Sequence, residues 1–260
     1  MASATAARPR APASRLAHAA WAVAGICWIV LVGAVLFGGD VHGQHDFVIE
    51  ESTRGWPVRL ALFAAAWLVM VGAMMLPTTV PMLELFWAAS AGRPRRTLDR
   101  ATVLGTYVLV WTVFSFAALA GDAVVHWLVD TWQWLAARPG IVLGTTLLLA
   151  GLFQFSSLKS ACLRACRSPL SMLWQHYRRG VGGAWALGVR HALSCLGCCW
   201  ALMLVMFAAG VGSLLWMLLL TAVMVAEKTT SWGARLVAPA GVALISGGLT
   251  IAGTSLFTST

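Results

Sequence analysis

The chain has 260 residues, 60% of them hydrophobic and only 10% charged, with a mean hydropathy of +0.81. Soluble domains carry roughly 25% charged residues and about 45–50% apolar ones, so a soluble globular protein is excluded. Base exceeds acid, 18 Lys+Arg against 9 Asp+Glu, but the basic residues cluster in short segments between apolar runs, which is the positive-inside pattern. Nucleic acid is therefore not an expected partner; the lipid bilayer is. The fold class that follows is all-α, a polytopic transmembrane helix bundle.

Residues 1–15, rich in Ala, Pro and Arg, read as a disordered basic tail, and residues 16–257 as a single transmembrane helical domain. The first apolar run, Leu16–Phe37, is longer than a signal-peptide core, and no A-x-A cleavage site follows it. It is expected to stay as an anchor. The loop Gly38–Trp56 carries Asp40, Asp46, Glu50 and Glu51 with His42 and His45. Two histidines on a loop are a thin basis for a metal-capture site. Pro57–Ser90 is too long for one straight span of about 20 residues. Pro77 and Pro81 remove two backbone donors, which predicts a broken span.

Ala91–Arg100 is a basic loop, and a third span is expected over Ala101–Ala120. Gly121–Pro139, with Trp127, Trp132 and Trp134, reads as the end of that span plus an interfacial segment. Span four is Gly140–Leu158, followed by a second basic loop, Lys159–Gly180. Span five is Gly183–Ala209, and Ala209–Gly212 makes a turn into span six, Ser213–Ala226. Leu236–Phe257 is the seventh. With the N-terminus in the cytoplasm, only Arg54, Arg59 and Arg138 of the 18 basic residues lie outside. Seven spans are expected, or six if span five or six is re-entrant.

Span five holds three of the six cysteines. At about 100° per residue, Cys195, Cys198, Cys199, Met203, Met206 and His191 share less than half of a helix circumference. Soft sulfur donors suit Cu(I) and, less exclusively, Zn(II). Met70, Met74 and Met75 lie at a similar depth beside the proline pair. Cys162 and Cys166, at i and i+4, lie just inside the cytoplasmic end of span four, and Pro169 is expected to stop the short helix they occupy. Cys27 reads as packing, and Met203 and Met206 taken alone as filler. Three cysteines within five residues of one face, with a further pair at a helix end, are harder to assign to packing. Disulfides are not expected on the reducing side of a membrane or within it.

Ionisable groups within spans are costly and often functional. Glu84 can pair with Lys228, Lys159 or Arg190, and Glu227 with the same cations, and the sequence does not choose among them. A pair that simply locks helices together is the plainer alternative. Gln154 is expected to hydrogen-bond between helices. No Ser-His-Asp set, phosphate-binding glycine loop or nucleotide motif is visible, so an enzyme is not expected.

Four stretches stand in order: Trp67-x-x-Met70-x-x-Ala73-Met74-Met75-Leu-Pro77-x-x-x-Pro81, Gln154-x-x-x-Leu158-Lys159-x-x-Cys162-Leu-x-x-Cys166-Arg167-x-Pro169, Cys195-x-Gly197-Cys198-Cys199-Trp200-x-Leu202-Met203, and Glu227-Lys228. Together they resemble a bacterial family of predicted metal-binding integral membrane proteins of unknown function, some labelled copper chaperone. Ser157 stands where that family commonly has proline, and Ala192 where glycine usually follows the histidine; neither removes a candidate ligand. The resemblance implies a multi-pass protein of the bacterial cytoplasmic (inner) membrane that binds metal. Copper is the first choice and zinc the second. The expected function is to hold Cu(I) in an intramembrane Cys/Met site for delivery to a copper-accepting protein or membrane complex. Ligands would come from Cys195, Cys198 and Cys199 with Met203, Met74 or Met75, and Cys162/Cys166 would pass copper in or out. The rival readings are a non-catalytic subunit of a membrane complex and a thiol redox protein cycling Cys195/Cys198.

Overall fold

The computed structural model describes residues 15–37, 55–209 and 213–257. The basic tail, the loop holding His42 and His45, and most of the Ala209–Gly212 turn lie outside the described residues. Within them the secondary structure is helical throughout: α1 (Arg15–Phe37), α2 (Trp56–Ala89), α3 (Arg96–Thr131), α4 (Gln133–Ala136), α5 (Pro139–Gln154), α6 (Ser157–Arg167), α7 (Pro169–His176), α8 (Val181–Ala208), α9 (Leu214–Thr229) and α10 (Gly233–Phe257).

Five of these helices (α1, α2, α3, α8 and α10) are long and apolar enough to cross a membrane, and six spans result if α5 and α6, bent by 65°, count as one. The expected sixth span, α9, is only 16 residues long, short of the about 20 that a straight crossing needs. Among the described residues, length and composition thus give five or six candidate spans, where the sequence predicts seven, or six if one segment is re-entrant.

The predicted break at Pro77 and Pro81 does not occur. α2 runs through both prolines as one helix of 34 residues. Pro77 has no N–H for the carbonyl of Ala73, and Trp28 Nε1 of α1 donates to that carbonyl instead, at 3.2 Å. The hydroxyls of Thr78 and Thr79 both donate to Met75 O, at 2.9 and 3.1 Å. A donor from a neighbouring helix at the freed carbonyl, as from Trp28, lets a membrane helix carry proline.

The break falls instead between α5 and α6, at Phe155–Ser156, where no proline stands. Ser156 caps α6 by accepting from Lys159 N at 3.0 Å. The segment read as the second basic loop is therefore largely the two helices α6 and α7, with Pro169 at the start of α7. α3 also exceeds its expected span. It continues past Ala120 to Thr131, 36 residues in all. At 1.5 Å per residue α2 and α3 are about 50 Å long, roughly 20 Å more than a bilayer's hydrocarbon core.

α8 lies at the centre of the bundle, packed by α3, α5 and α6, while α1 lies on α2. Its buried face meets Met70, Met74 and Met75 of α2, Tyr107 and Trp111 of α3, and Met217 and Met224 of α9 in one core. α5 and α10 approach through glycine: a Cβ at Gly144 would stand 2.8 Å from Gly248 O, and one at Gly151 2.9 Å from Gly241 O. Small residues allow this backbone contact between apolar helices.

Candidate metal centre

His191, Cys195, Cys198, Cys199, Met203 and Met206 are all buried on one face of α8. The helix positions them by its period alone, and two neighbouring helices add sulfur donors. Met75 of α2 brings Sδ to 3.8 Å from Cys199 Sγ. Cys166 of α6 brings Sγ to 3.8 Å from Cys198 Sγ. Cys162, one turn earlier, is half-buried against Gly197, where an added Cβ would lie 2.5 Å from its Sγ. Glycine at 197 is what lets α6 approach α8 so closely. All six cysteines are free thiols.

Lys228 of α9 has an environment the sequence does not disclose. Its Nζ lies 3.2 Å from Met75 Sδ, 3.3 Å from Cys195 Sγ and 3.9 Å from Cys199 Sγ. The side chain is only 8% exposed. A buried ammonium needs compensating negative charge, and here the neighbouring thiols are the groups that can supply it. Glu227, the preceding residue on the helix, faces another way. It pairs with Lys159 Nζ at 2.5 Å, both side chains being 1% exposed, and accepts from Gln154 Nε2 at 3.2 Å. Lys159 Nζ also donates to Cys198 O at 2.6 Å, and Arg167 to Glu227 O. One buried network thus ties α5, α6, α8 and α9 together directly behind the thiols.

Two of the ionisable groups left open by the sequence now have partners. Glu227 takes Lys159, Lys228 takes sulfur, and Glu84 is half-buried on α2. Lys159 and Lys228, counted as cytoplasmic loop residues by sequence, are buried and so do not vote on topology. Met74 and Met203 are buried in the same core, but the thioether in contact with a thiol is that of Met75. Tyr107, which the sequence did not single out, has its hydroxyl 3.4 Å from Cys195 Sγ and 3.3 Å from Thr79 Oγ1, with its ring stacked on His191. No periodicity or spacing marks it.

The donors converge without enclosing a common point. Among the described residues, no three His, Cys, Asp or Glu side chains are disposed to hold one ion. The Cys198 and Cys199 thiols donate to Cys195 O at 3.0 and 2.9 Å, and the position where Met75, Cys195 and Cys199 approach one another is taken by the Lys228 ammonium. A metal would therefore have to displace weak S–H bonds and the ammonium, not a salt bridge. The chemistry of the set still fits a soft monovalent ion: four thiols, a thioether and a buried His191 Nε2 with no hydrogen-bond partner.

The copper chaperone family model matches residues 64–251. The chain belongs to that family. The match runs from α2 into α10 and includes every candidate ligand on α2, α6 and α8. Its description is that of a metal carrier and not of a catalyst. No curated protein and no solved structure matches the chain.

Proposed function

We propose that this protein holds Cu(I) among Cys195, Cys198, Cys199, Cys166 and Met75 and passes it to a copper-accepting partner. One observation carries the reading: a thiol from a separate helix, Cys166, is brought to 3.8 Å from Cys198 beside the other sulfur donors. Packing alone does not require two thiols to meet a buried ammonium and a second pair, from two different helices, to meet beside them. Cu(I) accepts two or three soft ligands, so a loose set with more donors than any one geometry uses suits a cargo that must leave again. Structural zinc would instead ask for four donors arranged about one point.

Lys228 has a charge role in this reading. Cu(I) on two thiolates carries one net negative charge, and the ammonium beside Cys195 and Cys199 neutralises it inside a poorly solvated core. His191, with its free Nε2, is a further candidate ligand, while Met74 and Met203 line the site.

The single helical domain of residues 16–257 would lie in the bacterial inner membrane with its N-terminus in the cytoplasm. α6 begins with a buried lysine and ends at Arg164 and Arg167, and α2 and α3 outlast the bilayer core. These features support a position for the thiols nearer the cytoplasmic boundary than mid-bilayer. The Cys166–Cys198 distance also favours a second reading, a dithiol that closes to a disulfide between α6 and α8.

Metal analysis separates the two. Protein purified anaerobically in detergent is expected to carry close to one copper per chain, and the Cys195/Cys198/Cys199→Ser variant to carry none at normal yield. A metal-free wild type that shows a reversible α6–α8 cross-link on oxidation would replace the copper reading with the redox one.

A further inference from the structure

Two cavities meet at Arg190 and Ser194, and the larger of them is lined by Cys162. A groove of about 780 Å³ runs between α3, α6 and α8, lined by Phe114, Leu158, Cys162, Arg190, Ser194 and Trp200 among others. A second pocket of about 300 Å³ lies between α6, α7 and α8, with Arg164, Ser168, Ser171, Gln175, His176 and Arg190 in its wall. Arg190 and Ser194 line both, so the spaces adjoin. Arg164 and Arg190 are exposed, and among the described residues neither guanidinium has a hydrogen-bond or carboxylate partner. The adjoining cavities form a mouth with two uncompensated cations, Arg190 in both walls and Arg164 in the wall of the smaller pocket, which suits an anion. Cys162 is the thiol on its wall. Cys166 is one turn further along α6, and Cys198 lies 3.8 Å beyond it.

We infer that this mouth receives Cu(I) as an anionic complex with low-molecular-weight thiols, its charge held by Arg164 and Arg190 while the metal is exchanged onto Cys162. This rests on the copper reading and adds the chemical form of the cargo. A Cu(I) ion held by two thiolates has a net charge of minus one before any carboxylates on the thiol are counted. Transfer is an exchange of ligands. The Cu–Sγ bond to Cys162 forms, one Cu–thiolate bond of the donor breaks, and the Cys162 proton leaves on the departing thiol. Copper remains Cu(I) throughout, so no oxidant or reductant is consumed. The same exchange then moves the ion to Cys166 and Cys198. An anionic phospholipid also has a charged head and an apolar body, but it would make no use of a thiol on the wall.

The test compares two donors under anaerobic conditions, using the full chain in nanodiscs of zwitterionic lipid. One donor is the Cu(I) complex of glutathione, which is anionic, and the other is the Cu(I)–acetonitrile cation. Replacing Arg164 and Arg190 together by Gln is expected to slow loading from the glutathione complex by about tenfold or more. Loading from the acetonitrile complex and the final copper content should be unchanged. High salt should bring the wild-type rate down to that of the variant, and Arg164→Lys with Arg190→Lys should restore most of it. Equal glutathione-complex rates in wild type and the Gln variant would overturn the inference. So would a variant that loses a co-purifying anionic phospholipid with its transfer rates unaltered. If the wild type takes copper from neither donor, the copper reading itself fails.

Discussion

The α5–α10 contact and the contact of α8 with α6 and α9 are both closely packed, yet they are built from opposite materials. α5 and α10 meet through Gly144, Gly151, Gly241 and Gly248, backbone against backbone and apolar side chains. α8 instead meets α6 and α9 through thiols, a Lys159–Glu227 ion pair, Gln154 and a lysine surrounded by sulfur. The first contact gains its stability from close van der Waals approach and has no obvious further use. The second buries groups that are costly to bury, and it holds together because nearly every one of them finds a partner. Where a helix bundle accepts that cost, a function other than cohesion is the natural explanation.

Perturbing each contact should produce different phenotypes. The largest loss of stability is expected from Lys159→Met, which leaves Glu227 buried without its cation. About 3–5 kcal/mol is typical for breaking a buried pair, and thermal unfolding in detergent should record it together with loss of the α6 docking. Gly144→Ala combined with Gly248→Ala comes next, at about 1–3 kcal/mol of overpacking. Copper content per folded chain should not change, and a fall in it would mean the two contacts are not separable.

Lys228→Met should do the reverse. Exchanging this buried cation for an apolar side chain of similar size leaves neutral thiols facing an apolar group, so little stability is lost. Cu(I) affinity, read by competition with a chromophoric chelator, is expected to fall by about 10- to 100-fold, the size seen when a group tuning metal ligands is lost. Unchanged affinity would remove Lys228 from the site. The smallest effect is expected from Trp28→Phe, which takes the donor from Ala73 O and should cost about 1 kcal/mol. Its interest is local. If α2 then bends at Pro77, Met75 moves away from Cys199, and copper affinity should weaken along with stability.

The sulfur stripe was legible because a helix repeats: residues three and four apart share a face whatever surrounds them. The same periodicity placed Cys162 beside Cys166, but it could not say that α6 folds back onto α8, which depends on Gly197 and on a cap at Ser156. The proline pair misled for a related reason. A missing N–H is visible in sequence, whereas its replacement by Trp28, 45 positions away along the chain, is not. Glu227-Lys228 was recognisable as an ionisable pair in an apolar run. Adjacent helical residues point about 100° apart, so the two had to find different partners, yet only packing could supply them.

By itself, then, the sequence determined the class of molecule and the kind of chemistry it can do. Hydropathy integrated over 260 residues gives helices long and apolar enough to cross a membrane, and cysteine and methionine at helical spacing supply the kind of donors a soft ion takes. These are local or summed properties, insensitive to how the helices meet. Tertiary structure decided the position of the break and the identity of the helices that bring Cys166, Met75, Tyr107 and Lys228 to the stripe. Each of those depends on contacts between residues distant in the chain, whose geometry is set by close packing and by the need of every buried polar group for a partner.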